Sequence, residues 1–172
     1  MMTKSGPVFF ADTTVNIDMD ENSVYEMVGL VHDRVKSFQI EPRIALISYS
    51  NFGSSTGKYP SMMQKVVKRL HTDRPEILVE GEMQPVYAID GDLRKRRFPF
   101  NKLGDKSANV FIFSGLSSGN AVYQIMRSMG NMESIGPVLL GFKKSVHILH
   151  HSSSVREIVN MVALAVGEAQ DK

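Results

Sequence analysis

Cysteine is absent from this chain of 172 residues. Its absence excludes disulfide bonds, thiolate metal ligands and a cysteine nucleophile. No apolar run approaches the roughly 20 residues that a transmembrane helix needs. The stretch Met1–Gly6 also lacks the apolar centre of a secretion signal. We therefore expect a cytoplasmic protein with no membrane partner.

An excess of either charge is also absent. The chain has 20 Lys and Arg against 18 Asp and Glu, a formal net charge of +2, which is too near neutral to indicate a nucleic-acid partner. The only basic cluster is Arg94–Arg97. It is either a solvated face or a contact for an acidic cofactor.

What the chain does have is a globular composition, with 42% hydrophobic and 22% charged residues. Its length suits one ordinary domain or two small ones. Apolar periodicity predicts strands that alternate with helices. The strands are Val8–Val15, Arg43–Ser48, Ile77–Val79, Asn109–Phe113, Pro137–Leu140 and Ser145–Leu149; the helices are Ser23–Phe38, one that begins at Pro60, Gln84–Ile89, Gly91–Arg97, Ala121–Met129 and Val155–Ala169. This alternation indicates an α/β fold with a largely parallel sheet.

Three polar stretches follow predicted strands: Ser50–Gly57, Ser114–Asn120 and His150–Ser154. Ligands of open parallel sheets bind outside the carboxyl ends of the strands, so three neighbouring strands would bring these loops to one crevice. The first stretch has small residues that let backbone N–H groups approach a phosphate, but its composition favours a flexible turn. The second suits a helix cap or an anion nest.

Several catalytic motifs are missing. Lys58 follows Gly57, but no glycine precedes it at the spacing of a P-loop. There is no G-x-S-x-G elbow of a serine hydrolase and no H-E-x-x-H pair. We expect no metal site from the five histidines, which are His32, His71, His147, His150 and His151.

The stretch from Val146 to Asn160 is the most informative one. Ser154 and Glu157 fit the capping box of a helix start, in which each side chain satisfies a backbone N–H group. On that interpretation Glu157 is a cap and the two preceding histidines are solvated turn residues. The same helix start is also an anion site, because its first N–H groups have no partners inside the helix.

Several phrases together resemble the phosphate acetyl/butyryl-transferase family. They run in order along nearly the whole chain: Phe10-Ala-Asp-Thr-Thr-Val-Asn16, Glu80-Gly-Glu-Met-Gln84 (a turn in the resemblance), Ser107-Ala-Asn-Val-Phe-Ile-Phe113, Gly119-Asn120 with Tyr123, Ile135-Gly-Pro-Val-Leu-Leu-Gly141 and Ser154–Asn160. The resemblance implies a three-layer αβα fold like the second domain of phosphotransacetylases, of the isocitrate/isopropylmalate dehydrogenase-like type. It also implies a division into residues 1–145, the second domain, and 146–172, a strand end and helix that return to a first domain.

A further phrase, Ile40–Ser55, resembles the corresponding segment of multidomain bacterial NADP-dependent malic enzymes, which carry a phosphotransacetylase-like C-terminal domain. The transferase motif near the last helix is altered here. His150 stands at the serine position, His151 at the arginine position, Ser152 at the glycine position and Glu157 at the aspartate position; Thr13 replaces a cysteine. A neutral imidazole offers neither the fixed fork nor the constant charge of arginine. We expect no catalytic role for His150, His151, Glu157 or Thr13.

The resemblance therefore implies a domain that binds acetyl-CoA, regulates malate decarboxylation in neighbouring malic and NAD-binding domains, and forms a homodimer or larger oligomer. NADP and Mg or Mn would belong to those other domains, with no cofactor held here. The alternatives are an active phosphate acyltransferase and a purely structural module. The predicted acyl-CoA or phosphate contacts are Asn51, Ser54, Ser55, Ser118, Gly119, Asn120, His150, His151 and Ser152.

Overall fold

The computed structural model describes residues 1–130, 132–151 and 153–170. It divides into two compact units, one of residues 8–124 and one of residues 1–7 with 125–172, here called the central and the terminal unit. The elements in chain order are β1 (Met2–Thr3), β2 (Gly6–Pro7), β3 (Phe9–Ala11), α1 (Glu21–Ser37), β4 (Ile44–Ile47), α2 (Lys58–Asp73), β5 (Val79–Met83), α3 (Pro85–Ile89), α4 (Gly91–Arg97), β6 (Val110–Ile112), α5 (Leu116–Gly130), β7 (Val138–Leu139), β8 (Val146–His147) and α6 (Val155–Gln170).

A parallel sheet forms the centre of the central unit. Its strand order is β3-β6-β4-β5, and every neighbouring pair is parallel. Ile44 is aligned with both Val79 and Val110. The strands are short and fully buried from β4 to β6, as expected where helices cover both faces.

Helices cover the sheet on two faces. On one face, α1 packs against α2 and α2 packs against β5, with Val28 of α1 and Val66 of α2 completely buried. On the other, Phe111 and Ala45 lie in a core cluster with Ala88 of α3, and Val122 of α5 packs against it. The predicted three-layer α/β architecture with a largely parallel sheet is confirmed.

The terminal unit contains two small antiparallel sheets, β1 with β2 and β7 with β8, and α6 packs against β8. The prediction that His150–Ser154 follows a strand of the parallel sheet is therefore wrong. Val146 pairs with Leu139 in a separate sheet, so the carboxyl end of β8 is not one of the parallel ends that define the predicted crevice. The predicted boundary after residue 145 concerns the domains of the family and stays a prediction.

Several element bounds differ from expectation. The first predicted strand ends at Ala11, because Asp12 begins a turn. The phrase Glu80-Gly-Glu-Met-Gln84, expected as a turn, is mostly strand β5. Gly81 permits this because a Cβ at its position would lie 2.8 Å from the Leu46 carbonyl oxygen, closer than real Cβ atoms approach.

Two helices leave apolar side chains exposed. In α5, Ile125 and Met129 are 57% and 83% exposed, and Gly119 is the buried residue. In α6 the buried residue is Met161, while Val155 and Val159 are exposed. Over the described residues, no helix is long and apolar enough to cross a membrane.

Candidate functional site

Two of the three predicted loops lie at one edge of the parallel sheet. Strands β4 and β6 are neighbours and run in the same direction, so Ser50–Gly57 and the stretch after Ile112 leave from the same edge. The second stretch was expected to be a loop, but helix α5 already begins within it, at Leu116. Ser118, Gly119 and Asn120 therefore lie in the first two turns of a helix, and the Gly119 N–H already donates to the Gly115 carbonyl at 3.3 Å.

The loop after β4 is held by its own side chains. The Asn51 side-chain oxygen accepts the Gln84 backbone N–H at 2.8 Å, and the Ser55 N–H donates to Ser50 Oγ at 3.0 Å. Ser54 is exposed and accepts the Asn51 N–H through Oγ at 2.9 Å. Of the three residues predicted here, Asn51 and Ser55 shape the loop, and the Ser54 hydroxyl is the one on the surface.

A buried carboxylate, Glu82 of β5, anchors this loop from below. Its Oε1 accepts the Ser50 hydroxyl at 2.6 Å and the Gly53 N–H at 2.9 Å, and its backbone carbonyl accepts the Phe52 N–H at 2.7 Å. Glu82 is 0% exposed, and Oε2 has no hydrogen-bond partner among the described residues. The sequence analysis did not predict Glu82 as a site residue, because a turn was expected there. The occurrence of two glutamates between apolar residues could have indicated a buried carboxylate.

A second group joins the end of β3 to the start of α5. Asn120 Nδ2 donates to the Thr13 carbonyl at 3.1 Å. A Cβ on Gly119 would collide with the Asp12 carbonyl oxygen. The structure therefore brings Thr13, Gly119 and Asn120 together, as three of the predicted residues. Ser118 is exposed and donates its hydroxyl to the Gly115 carbonyl at 3.1 Å.

Asp12, which was not predicted as a site residue, fixes the turn between these groups. Its two carboxylate oxygens accept the backbone N–H groups of Thr14, Val15 and Asn16 at 2.6, 2.9 and 2.7 Å. Partial burial raises the pKa of Asp12, but the hydrogen bonds from these three N–H groups outweigh it and leave the pKa below its ordinary value. The carboxylate thus stays charged and is used in positioning the turn.

The close approach at Gly119 gives a test of this arrangement. We expect Gly119→Ala to lower the free energy of unfolding by about 1–3 kcal/mol, because the added methyl group must displace the backbone of Asp12. Gly167→Ala is the matched control: nothing lies within 4 Å of its Cβ position in α6, so it should stabilise by up to about 1 kcal/mol. Urea unfolding of both variants measures this, and equal effects would contradict the close approach.

The turn before α6 belongs to the terminal unit. Ser154 N–H donates to Glu157 Oε2 at 2.7 Å, and Glu157 N–H donates to Ser154 Oγ at 3.2 Å, which confirms the predicted capping box. His150 and His151 are exposed, and the His150 N–H donates to Ser153 Oγ at 3.1 Å. Ser152, a predicted contact, lies outside the described residues.

Glu157 makes a further contact that the sequence did not indicate. Its Oε1 accepts Arg127 Nη2 at 2.7 Å. The Ser154 backbone N–H, the Ser154 hydroxyl and the positive charge of Arg127 hold the pKa of Glu157 below its ordinary value. Both carboxylate oxygens are therefore occupied, and the group is a weaker base than a free glutamate.

An open cleft of about 320 Å³ lies beside this capping box within the terminal unit. Arg127, Arg156, Ser154 and Asn160 are among its lining residues. Arg156 is paired with Glu133 at 2.8 Å, as Arg127 is with Glu157. Both guanidinium groups are thus balanced by carboxylates, so the cleft itself carries no free positive charge from them. Over the described residues, no group of three or more His, Asp or Glu side chains is arranged to hold a metal ion.

Comparisons with known proteins agree with the fold and the motifs. A family model described as phosphate acetyl/butaryl transferase matches residues 1–166. The NADP-dependent malic enzymes of Salmonella typhimurium and Escherichia coli are 38% and 39% identical to this chain over 171 residues, which is 99% of this chain and 22% of each enzyme.

A solved phosphotransacetylase structure has the same fold as this chain. The phosphotransacetylase from Streptococcus pyogenes superposes with a TM-score of 0.91 at 27% identity, covering 100% of this chain and 53% of that one. This chain thus spans 22% of the malic enzymes and about half of that phosphotransacetylase. It corresponds to the phosphotransacetylase-like C-terminal domain of NADP-dependent malic enzymes. The fold, the order of its motifs and these matches agree that the chain belongs to the phosphate acetyl/butaryl transferase family.

Proposed function

We propose that this chain is the acetyl-CoA-responsive regulatory and oligomerisation domain of an NADP-dependent malic enzyme. The parent enzyme would convert malate to pyruvate with NADP and Mg or Mn, in malic and NAD-binding domains outside this chain. The identity of 38–39% to two such enzymes supports this assignment. Binding of the effector here would lower the rate of malate decarboxylation there.

The state of Glu157 is the observation that carries the proposal. In the transferase motif that this turn resembles, the equivalent carboxylate deprotonates the CoA thiol. Here its two oxygens accept the Ser154 N–H and the Arg127 guanidinium, and its pKa is lowered by the same contacts. A carboxylate held in this way stabilises the start of the helix and is a poor general base.

The neighbouring substitutions favour binding without transfer. His150 and His151 stand where the motif has serine and arginine. A single donor placed where charge develops in a transition state can contribute about 2.7–4 kcal/mol to catalysis, and an imidazole lacks the bidentate fork with which arginine holds a phosphate. An anion can still bind at the unpaired N–H groups of a helix start.

Exposed hydroxyls supply the other contacts in this proposal. Ser54 and Ser118 are on the surface. Ser54 would donate to phosphate or acyl oxygens, and Ser118 would do so by exchanging its bond to the Gly115 carbonyl for one to the ligand. Asn51, Ser55 and Asn120 hold the loops, and Gly119 keeps the backbone close. The proposed homodimer is supported by the exposed apolar side chains of α6, such as Val155 and Val159, since such surface is rare on isolated proteins.

The test uses the full-length enzyme. We expect acetyl-CoA to lower malate-dependent NADPH formation. To the extent that acetyl-CoA weakens malate binding, malate must weaken acetyl-CoA binding by the same factor, because linkage is reciprocal for binding. An unchanged rate would contradict regulation and favour a structural module. Acetyl phosphate formed from acetyl-CoA and phosphate, above the level of a His150→Ala/His151→Ala variant, would instead show an active acyltransferase.

A further inference from the structure

Four aromatic side chains form one cluster on the central unit: Phe52, Tyr87, Phe98 and Phe100. Phe52 lies 4.7 Å from Phe98 and 5.2 Å from Phe100 between ring centroids, and Tyr87 lies 5.1 Å from Phe98. The cluster joins the loop after β4 to the segment after α4. The Phe52 N–H bonds to the Glu82 carbonyl, so its position is fixed by the sheet.

Part of this aromatic cluster faces solvent. Phe100 is 68% exposed. Its contacts with Phe52 and Phe98 are edge-type, with interplanar angles of 84° and 70°. A T-shaped pair uses the face of only one of its rings. The cluster therefore presents ring surface on which a flat ligand can stack.

Positive charge is concentrated beside the cluster. Residues 94–106 contain six Lys and Arg but one Asp, although the whole chain has a net charge of only +2. Arg94 is buried and Lys95 is paired with Asp105 at 2.8 Å. Arg96, Arg97 and Lys102 are exposed, and within the described part of the chain none of the three forms an ion pair.

This combination indicates the chemistry of the occupant. A second copy of the chain would bring two basic segments together, which like-charge repulsion disfavours. A bare anion would not need the rings, and an apolar peptide would not need the cations. A nucleotide satisfies both, because its base stacks on aromatic rings and its phosphates pair with Arg and Lys.

We propose that Phe52, Phe98 and Phe100, together with Arg96, Arg97 and Lys102, bind an adenine nucleotide that carries a phosphate on its ribose. The 3′-phospho-ADP end of CoA and the 2′-phospho-AMP end of NADP share this chemistry. The choice of CoA rests on the proposed function, because Phe52 directly follows Asn51 in the loop assigned to acyl-CoA. The nucleotide site itself rests on the cluster and the charges alone.

The experiment measures binding to the full-length protein by calorimetry. The ligands are acetyl-CoA, acetyl-dephospho-CoA, 3′,5′-ADP and NADP. Phe100→Leu keeps an apolar side chain but removes the ring; Phe38→Leu, on the ring that stacks with Phe9, is its control. The charge variant Arg97→Gln/Lys102→Gln is matched by Lys65→Gln/Lys68→Gln, at two exposed lysines of α2.

We expect Phe100→Leu to weaken acetyl-CoA about fivefold or more, since a base–aromatic stack contributes at least about that factor. The charge variant should weaken acetyl-CoA about tenfold and leave acetyl-dephospho-CoA unchanged, with smaller effects at higher salt. The two controls should bind as the wild type does. NADP weakened by the same variants, with acetyl-CoA unaffected, would keep the nucleotide site but assign it to NADP.

The titrations distinguish a failure of the nucleotide site from a failure of the proposed effector. If acetyl-CoA binds the wild type and every variant equally, the nucleotide site is wrong while the proposed effector stands. If acetyl-CoA does not bind but 3′,5′-ADP does, and the variants abolish it, the proposed effector is wrong and the site stands. NADP would also bind the catalytic domain of the full-length enzyme, so only binding that the variants remove counts for this site. If neither acetyl-CoA nor 3′,5′-ADP binds the wild type and the variants leave NADP binding unchanged, both proposals are overturned.

Discussion

Replacing Arg94 with methionine is expected to lower the free energy of unfolding by about 3–5 kcal/mol, a range typical when one partner of a buried polar network is removed. The same substitution at Arg96, two residues along α4 and exposed, should change it by less than about 0.5 kcal/mol. The two variants lose the same charge and gain the same side chain, so the difference between them measures burial and hydrogen bonding.

The reason lies in what Arg94 contacts. Its side chain is 0% exposed. It donates to the Tyr87 carbonyl at 2.7 Å, the Gly104 carbonyl at 3.1 Å and the Asn101 side-chain oxygen at 3.0 Å. These acceptors come from α3 and from the loop that leads to β6. Methionine fills similar volume but leaves the acceptors buried without donors, which costs about 1–3 kcal/mol for each unsatisfied group.

Urea unfolding followed by circular dichroism tests this expectation, and the melting temperature should fall by roughly 10 °C. Equal loss in Arg94→Met and Arg96→Met would show that the buried contacts do not form. Because Arg94 ties the segment 101–106 to α3, we also expect Arg94→Met to loosen the aromatic cluster that packs on the same elements.

The burial of Arg94 could not be predicted from the sequence. A run of four basic residues suggested a solvated face, and for Arg96 and Arg97 that holds. Helix α4 turns one of the four inward, and nothing in composition says which carbonyls will be left for a buried guanidinium. Periodicity did predict α1 and the start of α2 to within a few residues, because each of these helices buries one apolar stripe.

The strands were harder to place for physical reasons. β5 carries Glu80, Gly81 and Glu82, a composition typical of a turn, and the close approach of Leu46 that makes Gly81 necessary is a tertiary contact. At the candidate site, the capping box of Ser154 and Glu157 is a local pattern and could be predicted in full. The pairing of Asn120 with Thr13 joins residues 107 positions apart, and only the folded sheet brings them together.

Glu82 leads to the second large effect. We expect Glu82→Leu to lower the free energy of unfolding by about 2–4 kcal/mol, because the Ser50 hydroxyl and the Gly53 N–H lose their acceptor Oε1 and each unsatisfied group costs about 1–3 kcal/mol. The loss is less than the sum of both, since the substitution also removes the buried Oε2 that has no partner among the described residues. Glu82→Gln keeps an oxygen acceptor and should lose about 1 kcal/mol or less.

A local measurement separates anchoring of the loop from general stability. Hydrogen exchange at the Gly53 N–H should quicken strongly in Glu82→Leu and stay slow in Glu82→Gln, while amides of β4 change only with global unfolding. Glu26→Leu, on an exposed glutamate of α1, controls for the loss of one charge. Exchange at Gly53 that is unaltered in Glu82→Leu would mean that the loop holds its shape without the carboxylate. The buried Ser50 hydroxyl, which contacts Ser54 Oγ at 3.1 Å, and the Glu82 backbone carbonyl, which the substitution keeps, would then suffice to hold Ser54 and Phe52 in place.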